Sequence, residues 1–358
     1  MENPDQPQQA VANLHVRAMQ PLLAPLALKA QLPLTAEATA TVTAAREAIR
    51  NVLRGSERRL VIVIGPCSIH DPEAALDYAR RLVRLQQDLS SQLLILMRVY
   101  LEKPRTTVGW RGLINDPYLD GGFDMGAGMQ LARQLLLEIN TMGLPVATEM
   151  LDPISPQYLD DQISLATIGA RTTEAQTHRA LASGISMPVG FKNGTDGGIQ
   201  VAVNACVAAA GQHSFLGITE DGQSAVVKTT GNPDSFVILR GGRHGPNYQE
   251  EYVVQATRLM REANLTPAVM VDCSHANAEN DFRRQETVWY KVIEQIVTQP
   301  TPIIGLMVES NIVEGKQPLP ADRSTLRYGV SLTDGCIGWE TTERLLVETH
   351  HALETRKR

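Results

Sequence analysis

LVIVIGPCSIHDP, residues 60–72, carries three signals in one short stretch. Leu60 to Ile64 is apolar without polar alternation, as in a parallel strand covered on both faces. GPCSIHDP follows and presents Cys67. Asp71 and Pro72 then open a helix as N-cap and first-turn proline, with Leu76, Ala79 and Val83 on its inner face. His70 reads as part of that helix start and carries no assigned chemistry.

The alternation recurs down the chain. Apolar runs at Leu93 to Val99, Leu144 to Thr148, Leu165 to Ile168, Pro188 to Phe191, Phe236 to Leu239, Ala268 to Val271 and Ile303 to Val308 follow the first, with helical patterns between them. Eight such strand-like runs predict a (β/α)8 TIM barrel, whose catalytic groups sit where strands end and loops begin. A doubly wound open sheet is the alternative α/β arrangement. One segment departs from the pattern: Phe215 to Thr219 and Ser224 to Val227 flank Glu220, Asp221, Gly222 and Gln223. That reads as a β-hairpin around an Asp-Gly turn, inserted near residues 214–230 between the fifth and sixth strands.

Ahead of the barrel, the first ten residues are rich in Pro, Gln and Asn and are expected to be mobile. Between Thr35 and Arg54, Val42, Ala45, Ile49, Val52 and Leu53 recur at helical spacing, and Gly55 supplies a stop. Residues 1–57 are therefore read as an N-terminal arm ending in one amphipathic helix, and residues 58–358 as the catalytic barrel. No Pro/Gly/Ser linker or repeat divides the remainder.

Composition narrows the function. The 358 residues are 43% hydrophobic, enough for a sizeable core. Against 39 acidic residues stand 33 basic ones, a net charge of −6, which argues against a surface that binds nucleic acid or anionic membrane while leaving room for a local basic pocket. No apolar run reaches membrane-span length, and the start MENPDQPQQA lacks the basic and apolar segments of a secretory signal. Four cysteines are too few for a disulfide scaffold, so a reducing cytoplasm is expected.

The residues at the strand ends fall into two chemical sets. Arg98, Lys103, Arg105, Arg171, Lys192 and Arg240 put six cations around one rim, which suggests a substrate carrying several negative charges. The alternative for each is an ion pair with a loop carboxylate. Cys67, His275, Glu309 and Asp334 form a thiolate, imidazole and carboxylate set suited to Zn, Fe, Mn or Co rather than Mg. They are dispersed in sequence, so no local spacing supports a site, and a buried Cys is often only a small hydrophobe. Cys206, Cys273 and Cys336 are read that way. Glu149 and Asp272 also stand at strand ends. A Schiff-base aldolase using Lys192, its pKa depressed by neighbouring cations, is the rival enzyme reading. A non-catalytic phosphosugar sensor is a rival of another class.

The strings GPCSIHDP, MRVYLEKPRTTVGWRGLINDP, IGARTTEAQTHR, PVGFKNGTDG, ILRGG, DCSHAN, MVESN and DGCIGWE, in this order from about Arg59 to Glu343, resemble those of the type I (alpha) 3-deoxy-D-arabino-heptulosonate 7-phosphate (DAHP) synthases. Arg111 and Arg243 stand where lysine is usual in that family, and Ala175 where serine is. The resemblance implies a barrel with an N-terminal extension and an added hairpin. It also implies condensation of phosphoenolpyruvate with erythrose 4-phosphate and water to DAHP and phosphate, the first step of the shikimate pathway. Cys67, His275, Glu309 and Asp334 would hold a divalent metal ion. Arg98, Lys103 and Lys192 would hold the carboxylate region of phosphoenolpyruvate, Arg171 and Arg240 its phosphate, and Arg105 and Thr106 the erythrose phosphate. Lys103 and Glu149 are the candidates for handling the proton of the attacking water.

The resemblance further implies feedback by an aromatic amino acid, through Asp152, Pro156, Gln157, Ser186, Phe215, Gly217 and Val227, and a homodimer or homotetramer. Phenylalanine-responsive relatives carry serine where this chain has Gly217. Loss of that side chain makes room for a phenol hydroxyl, so tyrosine is the expected effector.

Overall fold

In the computed structural model the described residues are 11–107 and 109–355. The first ten residues, expected above to be mobile, lie outside them. Eight parallel strands close into a barrel: β1 (Leu60–Gly65), β2 (Leu93–Arg98), β3 (Val146–Glu149), β4 (Leu165–Ile168), β5 (Val189–Lys192), β8 (Ser235–Leu239), β9 (Val269–Asp272) and β10 (Ile303–Glu309). The inserted pair, β6 (Ser214–Ile218) and β7 (Ser224–Lys228), forms a separate antiparallel sheet in which Phe215 faces Val227. Gly222, at φ +78°, takes the left-handed turn position expected of the Asp-Gly pair. The (β/α)8 barrel with an inserted hairpin is thus the observed fold, and the open-sheet alternative is excluded by closure of β1 on both β10 and β2.

Helices cover the barrel: α3 (Pro72–Leu89), α4 (Met125–Thr141), α5 (Pro156–Leu159), α6 (Gln176–Ala182), α7 (Gln200–Ala210), α8 (Glu250–Glu262), α9 (Gln285–Thr298) and α10 (Trp339–Glu354). Asp71 caps α3 by accepting from the backbone N–H groups of Glu73 and Ala74, with Pro72 in the first turn. None of these helices is long and apolar enough to cross a membrane among the described residues.

The strands build two cores because alternate side chains point to opposite faces. Ile62, Ile64, Ile95, Met97, Val189, Phe191, Val269 and Val271 pack outward among the helices. Val61, Val63, Leu94, Leu96, Ala147, Leu165, Phe236, Ile238, Met270 and Met307 fill the interior. Continuing the same parity toward the strand ends turns Cys67, Arg98, Glu149, Lys192, Arg240, Asp272 and Glu309 to the inside, above the apolar layers. Gly190 lies in this interior, where a Cβ would sit 2.5 Å from Ile238 and 2.8 Å from the Phe236 ring.

The N-terminal segment holds two helices, α1 (Pro25–Gln31) and α2 (Ala36–Leu53), where the sequence reading gave one. The seven residues of α1 are too few to show a period. Thr35 caps α2 through a hydrogen bond from the Ala38 N–H, and Ile49 and Val52 join the interior core, closing the N-terminal mouth of the barrel. Arg50 donates to Asp234 at 2.9 Å and to the Ser186 carbonyl at 2.9 Å. Leu26 N–H donates to the Glu220 carbonyl of the hairpin, and Tyr158 donates to the Leu23 carbonyl. The segment therefore ties barrel floor, hairpin and α5 together.

Truncating the fully buried Ile49 leaves a cavity in the barrel floor. Ile49→Ala is expected to lower unfolding stability by about 2–5 kcal/mol in urea titration, whereas removal of residues 1–24 changes it far less.

Candidate active site and metal centre

Above the apolar layers lies a cavity of about 440 Å³. Lys103, Arg105, Thr106, Arg171, Lys192, Arg240, Glu149, His275 and Asp334 all line it. These residues come from seven strand ends or the loops after them, which is why a (β/α)8 barrel gathers residues as far apart in sequence as Lys103 and Asp334 at one face. Arg171 donates to the Thr106 hydroxyl at 3.1 Å, so the two groups of anion-binding candidates adjoin.

Arg98 does not line the cavity. It is fully buried beneath it, donating to Glu309 Oε1 at 2.8 Å, to the Pro66 and Cys67 carbonyls at 3.2 Å, and to Met307 Sδ at 3.3 Å. Lys103, also buried, reaches the Cys67 Sγ and carbonyl oxygen, each at 3.2 Å. Burial works against its charge, but Cys67 and the nearby carboxylates outweigh that and hold the ammonium firmly protonated.

Cys67, Glu309 and Asp334 bring their ligand atoms within 4.8 Å of one another, with Cys67 Sγ 3.6 Å from Asp334 Oδ2. His275 Nε2 joins from the side, 3.7 Å from Glu309 Oε1. Burial, then Glu309 and Asp334, push the Cys67 thiol up to about 11. A thiol crowded by two carboxylates suits a divalent ion, which stabilises thiolate and carboxylates together. The imidazole is oriented for this: its Nδ1 side meets Ser274 Oγ at 2.8 Å and Asp272 Oδ2 at 3.1 Å, leaving Nε2 toward Glu309. His275 sits at φ +59°, a conformation uncommon for a side-chain-bearing residue and typical of constrained functional positions. The four candidate ligands therefore fit a metal.

Two supporting residues had no assigned role in the sequence reading. Asp272 is fully buried and receives Lys192 Nζ at 2.8 Å as well as His275, linking the cation set to the ligand set. Its own burial opposes ionisation, yet Lys192 and His275 hold the carboxyl well below the usual range. Gln285, also buried, clamps the Glu309 backbone, accepting from its N–H at 2.9 Å and donating to its carbonyl at 3.0 Å. The place of Asp272 in DCSHAN was visible, but its partner lies 80 residues upstream. Lys192 is not set up as a Schiff-base nucleophile. Although burial lowers Lys192, Asp272 more than restores it, so the amine is held protonated rather than poised as a nucleophile.

Glu149 lines the cavity with Oε1 buried and lacking a hydrogen-bond partner, and Gly169 leaves room for it, since a Cβ there would lie 2.3 Å from that oxygen. Of the effector candidates, Phe215, Gly217 and Val227 share the half-buried face of the hairpin. Asp152, Pro156 and Gln157 lie in the segment after β3, and Ser186 in the loop before β5. Cys206, Cys273 and Cys336 are buried and free, with Cys206 inside α7.

The chain matches the DAHP synthetase I family over residues 31–347. It is 55% identical over 344 residues to the Tyr-sensitive phospho-2-dehydro-3-deoxyheptonate aldolase of Escherichia coli, covering 96% of each chain. It is 51% identical over 345 residues to the Phe-sensitive one of the same organism, covering 96% of this chain and 98% of that one. A solved phospho-2-dehydro-3-deoxyheptonate aldolase from Francisella tularensis superposes with a TM-score of 0.93 at 43% identity, over 96% of this chain and 100% of its own.

Glu102, beside Lys103, gives a pH prediction. It is buried against Ser155, whose hydroxyl donates to Oε2 at 3.0 Å, and burial raises its carboxyl from 4.5 to about 7 despite that bond. Between these values the folded chain keeps a proton that the unfolded chain has lost, so stability falls as pH rises through the window. Glu102→Gln lacks this titration. From pH 4 to pH 8 the unmodified chain should lose on the order of 3 kcal/mol relative to the variant in urea titrations.

Proposed function

The chain belongs to the DAHP synthetase I family, and from that membership and the site geometry we infer that it condenses phosphoenolpyruvate with erythrose 4-phosphate and water to give DAHP and phosphate. This is the first step of the shikimate pathway. The observation that carries the reading is one cavity lined by five cations together with His275 and Asp334, which connect it to the buried Cys67 and Glu309.

We assign Arg171 and Arg240 to the phosphate of phosphoenolpyruvate and Lys103 and Lys192 to its carboxylate region, with Arg98 supporting that region from below. Arg105 and Thr106 take the phosphate of erythrose 4-phosphate, and the Arg171–Thr106 contact supports two phosphates side by side. Crowded cations lower the cost of bringing two phosphates and a carboxylate together. Cys67, His275, Glu309 and Asp334 hold the divalent ion, of the Mn, Fe, Co or Zn type. When bound, such an ion supplies Lewis-acid polarisation of the aldehyde oxygen. The cations orient the enol phosphate so that its C3 faces the aldehyde carbon, and bond formation leaves positive character at C2. Glu149, with its partnerless oxygen, takes a proton from the water that adds at C2, and Lys103, held protonated, gives one to the oxygen that was the aldehyde carbonyl. The resulting hemiketal phosphate releases phosphate by carbon–oxygen cleavage.

Feedback by an aromatic amino acid belongs to the same reading, with tyrosine the favoured effector at Asp152, Pro156, Gln157, Ser186, Phe215, Gly217 and Val227. Val227 packs directly over Gly217, where a Cβ would meet its Cγ2 at 2.8 Å, so a serine there would displace Val227 and reshape this face. Residues 1–57 serve regulation and subunit contact. Their bonds to the hairpin and the outward Leu14, Met19, Leu216 and Val226 support a homodimer or homotetramer. Four free cysteines agree with a reducing cytoplasm.

Phosphate release with both substrates tests the reading. Release should require both, cease in EDTA, return with manganese, and fall by more than about a hundredfold in Cys67→Ala. Tyrosine should slow the full chain. Undiminished release in EDTA, a borohydride-trapped adduct on Lys192, or indifference to all three aromatic amino acids would each contradict the corresponding part.

A further inference from the structure

Tyr100 lies two residues beyond β2, fully buried, with Arg98, Lys103 and Lys192 gathered around its ring. The Arg98 guanidinium carbon is 3.5 Å from the ring centroid, the Lys103 ammonium 5.4 Å and the Lys192 ammonium 5.8 Å. The three cations come from the end of β2, the loop after it and the end of β5. Their other partners differ: Glu309 for Arg98, the Cys67 sulfur for Lys103 and Asp272 for Lys192. The aromatic ring is a contact all three share.

We propose that Tyr100 is a positioning residue for the carboxylate end of phosphoenolpyruvate, its ring holding the three cations together without neutralising them. The inference rests on the assignment of that end of the substrate to Lys103 and Lys192. Three positive charges in a buried space repel one another. Glu309 and Asp272 balance Arg98 and Lys192 from outside the group, and a further carboxylate in its midst would satisfy the cations and compete with an incoming anion. A π face attracts cations through its quadrupole while carrying no net charge, so the cluster keeps its field for the substrate. The hydroxyl fixes the ring plane: it lies 2.7 Å from Thr167 Oγ1, which in turn donates to the Thr148 carbonyl at 3.3 Å. The Tyr100 carbonyl accepts from the Ile69 N–H at 2.9 Å, so the same residue also braces the loop that carries Cys67.

The test is steady-state kinetics on the full chain with saturating manganese, varying each substrate in turn. Tyr100→Phe keeps the π face and should hold the KM for phosphoenolpyruvate within about twofold, while Tyr100→Leu should raise it on the order of tenfold or more. The KM for erythrose 4-phosphate should move by less than about twofold in both. Because the leucine variant can perturb packing, phenylalanines carrying one, two and three ring fluorines are introduced at position 100, which weakens the quadrupole at nearly constant shape. A stepwise rise in the KM for phosphoenolpyruvate with fluorination is expected. A flat fluorination series, equal loss in the phenylalanine and leucine variants, or parallel rises for both substrates would overturn the proposal. If the unmodified chain turns over neither substrate, the underlying functional reading fails instead, and that outcome is visible before any variant is made.

Discussion

The contact between Arg98 and Glu309 organises this molecule. It spans 2.8 Å, both side chains are essentially inaccessible, and it links β2 to β10 across the interior of the barrel. Buried charges are tolerated only when paired and further hydrogen-bonded, and removing one partner of such a pair typically costs about 3–5 kcal/mol. The remaining Arg98 donors are committed to the Pro66 and Cys67 carbonyls and to Met307. One guanidinium thus fixes the loop that carries Cys67 and the carboxylate of Glu309 at once. A second pair, Lys192 with Asp272, does the same on the other side and reaches His275. Candidate metal ligands and candidate substrate cations are joined through these ion pairs into one cluster, so neither set can be moved without the other.

The barrel makes this cluster possible through parity. Strand residues alternate between the helix-facing core and the interior, and the interior positions change from apolar to charged over the last residues of the strands. Below, Val61, Val63, Leu94, Leu96, Phe236, Ile238 and Met270 form apolar layers, and Ile49 and Val52 of α2 complete the floor. Water is excluded from beneath the ion pairs, which strengthens them and the field above them. The N-terminal segment is therefore part of the barrel's foundation as well as a bridge to the hairpin and α5.

Much of this was legible in the sequence, and the exceptions have physical causes. All eight barrel strands and both hairpin strands were placed, because continuous β-type runs bounded by turn residues are a strong local signal. Strand starts at Leu144 and Pro188 were two residues and one residue early, since Pro145 and Pro188 have no N–H and the ladders begin at Val146 and Val189. Strand ends were short by one residue at Glu149, Lys192, Asp272 and Glu309, where a charged side chain interrupts the apolar run. The same interruption flagged those positions as candidates. Long-range pairing was not legible. No local pattern reveals that Asp272 receives Lys192, that Gln285 clamps Glu309, that Arg98 lies below the cavity, or that Tyr100 collects three cations.

A single cluster linked by ion pairs implies thermodynamic coupling between the metal and the anionic substrate. Without metal, Glu309 and Asp334 share their charge with Arg98 and Lys103, and Lys103 is held against the neutral Cys67 thiol. Once those ligands turn to a divalent ion, the cations present more of their field to an anion, and by linkage each ligand strengthens the other. The direct measurement is calorimetric titration of phosphoenolpyruvate into metal-stripped full chain and into the same chain saturated with manganese. The account predicts affinity at least about fivefold tighter with manganese, a coupling of about 1 kcal/mol, and loss of that coupling in Glu309→Gln. Equal affinity with and without metal in the unmodified chain would contradict it.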